Sequence, residues 1–399
     1  MSVARLGADQ VGPPAFEIAP TGDETPRIFD LSSHRRAREA LEFGLGVPEL
    51  GFNIFVVGED RSGRMTATLD LLAEHANRLP RPSDWIYLPN FPHPERPRPY
   101  RLPAGIGRVF RDRLAALLPA LRQALARAFE AAEFAAHLER ESATLQQAMG
   151  SAFADLNAFA GKHGYAIERS PQGMALRPQP ENEPEALEKL SDEERQRRLE
   201  GLAEVRQRVG VFMQAARQAD LKFAETVREA RRQTADAALM PLVDSIGAEF
   251  GTYPGLGRWI VELRNDLVDH LDLLAGPADA EAEAARRHAS EQRYAVNLLV
   301  DHGEEPAAPV VLEPTPTYEN LFGRFEFRFE SGVAVTDYRH IRAGSLHRAN
   351  GGILVLRAEA LAAQPMVWGF LKGALRDRCI RIEPPQAGGP PLAGATSPH

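Results

Sequence analysis

Residues 108–237 read as one long helical stretch rich in Ala, Arg, Glu, Gln and Leu, set between two stretches of strand chemistry. Apolar residues recur there three and four apart, the seam of paired helices. Leu138, Leu145, Met149, Ala152, Leu156 and Phe159 mark one arm, and Leu202, Val205, Val209, Phe212, Ala216, Phe223, Val227 and Ala230 mark the other. Ser191 with Glu194 makes a capping-box start for the second arm, and Pro119 predicts a bend in the first. Between the arms Tyr165, Ile167, Met174 and Leu176 alternate around Pro171 and Gly173, which predicts a β-hairpin at the tip, near residues 165–177. Such an arm suits contact with a substrate, and it suits packing or oligomerisation equally well.

On the N-terminal side, Ser32 or Ser33 caps a helix carrying Ala37, Ala40, Leu41 and Leu45. Phe52, Ile54, Phe55, Val56 and Val57 then predict a short buried strand ending at Gly58, and Ala67, Leu69, Leu71, Leu72 and Ala73 a second helix. Strand, Gly-containing loop and helix in that order is the layout of a phosphate-binding loop. A further strand is expected at Trp85–Leu88, with Pro89–Pro103 as an extended connector. Beyond the arms come a helical region (Leu239–Leu274), a solvated segment to Arg293, and strands at Tyr294–Val300, Val310–Leu312 and Ile353–Leu356. The expected fold is an α/β core split by a helical insertion. Its divisions are a tail (1–27), a first core part (28–107), the insertion (108–290), a second core part (291–383) and a Pro/Gly/Ala linker (384–399).

Composition narrows the function. Lys+Arg of 47 against Asp+Glu of 55 gives a net charge of -8, which lacks the basic field of a general nucleic-acid binder. Cys379 is the one cysteine of 399 residues and cannot close an intramolecular disulfide; within CIRIE it reads as a small core residue on a strand. No apolar run approaches the roughly 20 residues of a membrane helix, and the N-terminus lacks a secretory h-region, so no membrane partner and a cytoplasmic location are expected. The eleven histidines show no zinc-ligand spacing.

Two motifs carry chemistry. GEDRSGRMT, Gly58 to Thr66, has the glycine spacing of a Walker A loop, whose backbone N–H groups cradle phosphates at a helix N-terminus. Arg64 stands in the lysine position and Met65 in that of the Mg²⁺-binding hydroxyl, while Thr66 comes one residue late. Only four of the 47 basic residues are lysines, so arginine at 64 fits the habit of the chain, and it can pair with phosphate. A thioether at 65 is a poor ligand for a hard cation. In ANGGILVLRAEAL, Ile353–Leu356 leads to the Walker B position, where Arg357 replaces the expected Asp and Glu359 follows two residues on.

The runs PTYENLFGRFEFRFESG, VTDYRHIRAGSLHRANGGILVLRAEAL and MVWGFLKGALRDRCIRIEP closely resemble the ATPase part of the Lon-like proteases, in the bacterial branch whose AAA+ core carries a long helical insertion. SSHRRAREALEFGLGVPELGFNIFVVGEDRSGRMTA, SDWIYLPNFPHPERPRPYRLPAG and RYAVNLLVD are similar to its front part, so the resemblance covers roughly residues 28–384. It implies a P-loop AAA+-like core with a parallel sheet and flanking helices. It also implies a nucleotide site at Gly58, Gly63, Arg64, Met65 and Thr66, ATP with Mg²⁺ as the cofactor to be tested, unfolded proteins as partners and a hexameric ring. Phe325–Val335 falls where such proteins place a pore-facing segment, which makes Phe327, Phe329 and Val333 pore-loop candidates. Alternating aromatics are also what one face of a packed strand shows. His347, Arg348 and Asn350 read as a hydrogen-bonding turn before the last strand.

Three functions follow as expectations. The first is a substrate-binding, ring-forming ATPase-like scaffold for protein degradation with impaired or lost hydrolysis. The second is an active ATPase in which Glu359 polarises the attacking water. The third is a nonenzymatic partner-binding protein acting through its arms. The Ser/Lys protease domain, the sensor strand and the helical lid of the family would lie beyond this chain, so no peptidase activity is expected of it, and the edge of Ile353–Leu356 is expected to promote association.

Overall fold

A computed structural model describes residues 31, 34–47, 49, 51–59, 61–170, 173–187, 190–276, 279–330 and 333–382. Helices α1 (Arg35–Gly46) and α2 (Arg64–Ala76) flank the glycine loop, and strands β1 (Ser83–Leu88) and β2 (Arg98–Pro103) follow. Then come α3 (Ile106–Glu130), α4 (Ala132–Lys162), β3 (Tyr165–Ser170), β4 (Gly173–Pro178) and the single turn α5 (Pro184–Leu187). The longest element is α6 (Asp192–Phe250), after which α7 (Leu256–Asp269) and α8 (Ala280–Arg293) lead to β5 (Asn297–Val300) and β6 (Val310–Glu313). The last part holds α9 (Tyr318–Phe322), β7 (Arg324–Phe325), β8 (Arg328–Glu330), β9 (Val333–Val335), β10 (Ile341–Arg342) and α10 (Ser345–Arg348), then β11 (Ile353–Leu356), α11 (Ala358–Ala362) and α12 (Pro365–Asp377).

The 59 residues of α6 form the spine of the helical part, about 88 Å long at the usual rise. The Ser191–Glu194 capping box starts it, satisfying two otherwise orphaned amides. Its first half packs on α4 and the β3–β4 hairpin through Leu156, Ala160, Tyr165, Ile167, Val205 and Phe212. Its second half belongs to a different and larger core, where Ala235, Leu239, Val243 and Ile246 meet Phe110, Leu114, Leu121 and Leu125 of α3 and Trp259 and Leu263 of α7. Arg264 clamps Asp236 with two nitrogens and ties α7 to α6. α3 runs without a break through Pro119, which lies on its exposed side, and stops at Glu130, where Ala131 turns extended.

The sheet differs from expectation. β1 is the centre of an antiparallel sheet ordered β2-β1-β5, not a member of a parallel sheet with the glycine loop. Pro89–Pro103 is correspondingly more than a connector, because Arg98–Pro103 pairs along the whole of β1. Pro99 and Pro103 are tolerated there because β2 is an edge strand, where a missing donor breaks no second ladder. The pleat sends the two faces of β1 to different cores. Ile86 and Leu88 point into the helical core, whereas Tyr87 packs with Phe325, Tyr338, Ile341 and Ile382. The antiparallel sheet is thus the joint between the helical body and the C-terminal part.

Among the described residues the parallel pairing is that of β11 with β6, Ile353 opposite Val310 through Leu356 opposite Glu313. Phe52–Val57, expected as a buried strand, carries no ladder, and Phe55 and Val57 are 74% and 78% exposed. Strand chemistry cannot make a strand without a neighbour to take up its amides and carbonyls, and no described strand lies against this segment. The CIRIE segment is corrected for the same reason: Cys379–Ile382 follows α12 without regular structure, with Cys379 half-buried. Ser32 and Ser33, the expected caps, lie outside the described residues, and α1 begins after His34.

Candidate functional site

The glycine loop turns into α2 through two left-handed residues, Arg61 (φ 59°) and Gly63 (φ 76°). Ser62 Oγ donates to the Glu59 carbonyl at 2.8 Å and closes the loop on itself. Among the described residues α2 has no side-chain cap and no acidic residue in its own first turn. A Cβ added at Gly58 would sit 3.2 Å from Cδ of Arg64, so the loop folds back onto that side chain. Ala67, Leu71, Leu72 and Ala76 bury the other face of α2.

The C-terminal end of β11 comes to the same place. Arg357 is extended and exposed and stands just before α11, whose first turn carries Glu359. Glu359 Oε1 lies 3.9 Å from Arg64 Nη2, so the two motifs, nearly 300 positions apart in the sequence, meet in space. Met65 is half-buried and Thr66 exposed.

One group here carried no sequence signal that singled it out. Glu313, at the end of β6 and opposite Leu356, is buried and accepts from the Ser345 hydroxyl at 2.6 Å and the Thr315 amide at 3.0 Å, with Arg348 Nη2 at 3.9 Å. An acidic residue closing the apolar run VVLE was the one hint. His347, on α10, is buried and accepts from the Gly344 amide at its Nδ1; burial pushes its pKa down to about 4 and keeps it neutral. Arg348 therefore faces the site's edge, while His347 serves the turn.

Phe327 is half-buried against the cluster of Tyr87, Phe325, Tyr338 and Ile341. Phe329 and Val333 lie on the β8–β9 hairpin, opposite Ala334 and Glu330 respectively.

The donor chemistry distinguishes phosphate from metal. Loop amides, a helix start and the Arg64 guanidinium are groups of the kind that suit an oligophosphate. Where the resemblance would place Mg²⁺ ligands, the sequence has a thioether at Met65 and a guanidinium at Arg357, one too soft for that ion and the other a cation. Among the described residues no group of three or more His, Cys, Asp or Glu could hold a metal, and no helix is long and apolar enough to cross a membrane.

Two segments match known family models. Residues 306–392, which hold β6 through α12, match the LonB-like AAA domain. Residues 84–117, which hold most of β1, all of β2 and the first half of α3, match the Lon-like LonC helical domain. Together they show the resemblance to the ATPase region of the Lon-like proteases at two separate places. The second match straddles residue 108, where the sequence reading begins the insertion, and the glycine loop lies outside both. No curated protein matches the chain.

Proposed function

We propose that this chain is the ATPase-like module of a Lon-like protease, a substrate-binding and ring-forming scaffold for protein degradation whose ATP hydrolysis is impaired or lost. The observation that carries the reading is the meeting of Arg64 and Glu359 at 3.9 Å. That contact supports reading the glycine loop and the end of the β11 strand as one nucleotide-type site, in which the positions for metal ligands hold Met65 and Arg357. Phosphoryl transfer depends on a metal to neutralise the developing charge, so losing both positions removes hydrolysis before it removes the architecture. In an active ATPase Glu359 would polarise water; a carboxylate directed at Arg64 is poorly placed for that role.

The scaffold reading is tested by the affinity of the full chain for a permanently unfolded model protein, followed by fluorescence anisotropy, beside sedimentation analysis of its assembly. Binding at micromolar concentration with ring-sized assemblies supports it. A monomer that ignores unfolded protein contradicts it. One observation favours a second reading: the arm of α4, β3, β4 and the first half of α6 has its own core, apart from that of the body. A nonenzymatic partner-binding arm would then act without any ring, and partner binding by a strictly monomeric chain is its signature.

A further inference from the structure

The arm is anchored at its two ends. Its tip has a core of its own, Leu156 and Ala160 of α4 with Tyr165, Ile167, Val205 and Phe212. Polar contacts tie the tip further: buried Asn182 donates to the carbonyls of His163 and Gly164 at 2.6 and 3.0 Å and accepts from Arg198 at 2.6 Å. At the other end α6 enters the body core at Ala235. Between these anchors, from 132 to 150 on α4 and from 213 to 229 on α6, no described residue is buried. The seam residues there, Phe134, Leu138, Leu145, Met149, Phe223 and Val227, are half-buried. The side-chain hydrogen bonds of Arg140, Thr144 and Thr226 go to carbonyls of their own helices and do not cross the seam.

The backbone is soft where this thin stretch meets its neighbours. At the body end α3 stops and Ala131 turns extended (φ −63°, ψ 137°) before α4, which starts with no side-chain cap. At the tip end Gly150 of α4 and Gly210 of α6 lie in helix interiors, three and two residues before Phe153 and Phe212, whose rings meet across the seam with centres 6.0 Å apart. A Cβ on either glycine would meet nothing within 4 Å, so no close approach demands a residue that weakens a helix. We infer that the middle of the arm is a hinged link, about 30 Å long, on which the tip moves as a unit relative to the body, pivoting at the Ala131 break and at Gly150 and Gly210. Most helical stability in a protein comes from packing an apolar face, and segments with few buried contacts open first. The link therefore opens locally while both cores stay intact. α6 spans it without a break and keeps the tip attached. The consequence is reach: the tip sweeps a volume instead of holding one position, whether or not the chain forms a ring or binds a nucleotide.

The test is amide hydrogen exchange of the full chain, beside pulsed electron paramagnetic resonance of nitroxides placed by Ala175→Cys in the tip and Asp244→Cys in the body, two exposed positions, with Cys379→Ser removing the native thiol. Exchange in 132–150 and 213–229 faster than in 152–160 and 235–246 is expected, together with a broad distribution of tip-to-body distances. Gly150→Ala with Gly210→Ala should slow exchange in the link about two- to fivefold per site, the effect of alanine for glycine in an exposed helix, and should narrow the distribution. Gly247→Ala is the control. It lies on α6 inside the body, where a Cβ would meet only Ile260 at 3.9 Å, and it should steady the body without narrowing the distribution. Equal protection along the whole arm, a distribution already narrow before the glycines are replaced, or narrowing by Gly247→Ala as great as by the two arm substitutions overturns the inference. The unfolded-protein assay reads the scaffold proposal separately, so the two can fail independently.

Discussion

Arg64, the first residue of α2, and Glu359, in the first turn of α11, lie 3.9 Å apart and join the glycine loop to the end of the parallel strand pair. Local sequence makes each motif, but the packing of α2 beside β6 and the β6–β11 pairing bring them together. The first prediction follows from what stands between them. The wild-type chain should release phosphate from Mg²⁺-ATP far more slowly than about one per second, a modest rate for this chemistry. Met65→Thr with Arg357→Asp should introduce Mg²⁺-dependent nucleotide affinity. Steady-state phosphate release and a Mg²⁺ titration of the double variant check both statements.

Asp266 of α7 is buried and held by two nitrogens of Arg293 and by the Tyr294 hydroxyl at 2.9 Å. Removing Arg293 as methionine strands a buried charge, and urea unfolding should show a loss of roughly 3–5 kcal/mol. Adding Asp266→Asn to that variant should restore part of the loss. A single variant as stable as wild type would mean that the latch between α7 and α8 carries no weight.

His347 links stability to pH. Burial lowers its pKa to about 4, whereas unfolded it titrates near its usual value of about 6.5. Between those values the unfolded chain binds more protons, so stability is complete above the unfolded value and falls as pH drops toward 4. From pH 7 to pH 5 the wild type should lose about 2 kcal/mol more than His347→Gln. Equal losses for the two proteins in urea melts at both pH values would contradict a neutral, buried imidazole.

Exposure separates two apolar neighbours of the loop. Val57 is 78% exposed and Leu72 only 4%. Val57→Lys should leave the melting temperature unchanged and reduce concentration-dependent light scattering, since an exposed apolar segment without a ladder invites association. Leu72→Ala should instead cost about 2–5 kcal/mol, as buried leucines do.

The helices of this protein were legible because their signals are local. The Ser191–Glu194 box appears as read, and Leu156, Val205 and Phe212 bury the seam that their spacing announces. The alternation of Tyr165 and Ile167 against Met174 and Leu176 coincides with paired strands, Ile167 opposite Leu176. The site residues Arg64 and Glu359 were readable as two motifs, but Glu313 was not, since a buried carboxylate looks like any other glutamate until Ser345 arrives from 32 positions along the chain.

Sequence by itself determined where the chain can be helical, through 3.6-residue periodicity and caps satisfied within a few residues, and which chemical groups the two motifs carry. Tertiary structure alone decided which apolar runs become strands. Phe52–Val57 has the composition of a buried strand and pairs with nothing described, while the Pro-rich Arg98–Pro103 pairs fully along Ser83–Leu88. The physical reason is that a helix closes its hydrogen bonds within itself, whereas a strand's amides and carbonyls wait for a partner whose position is set by the packing of the whole molecule.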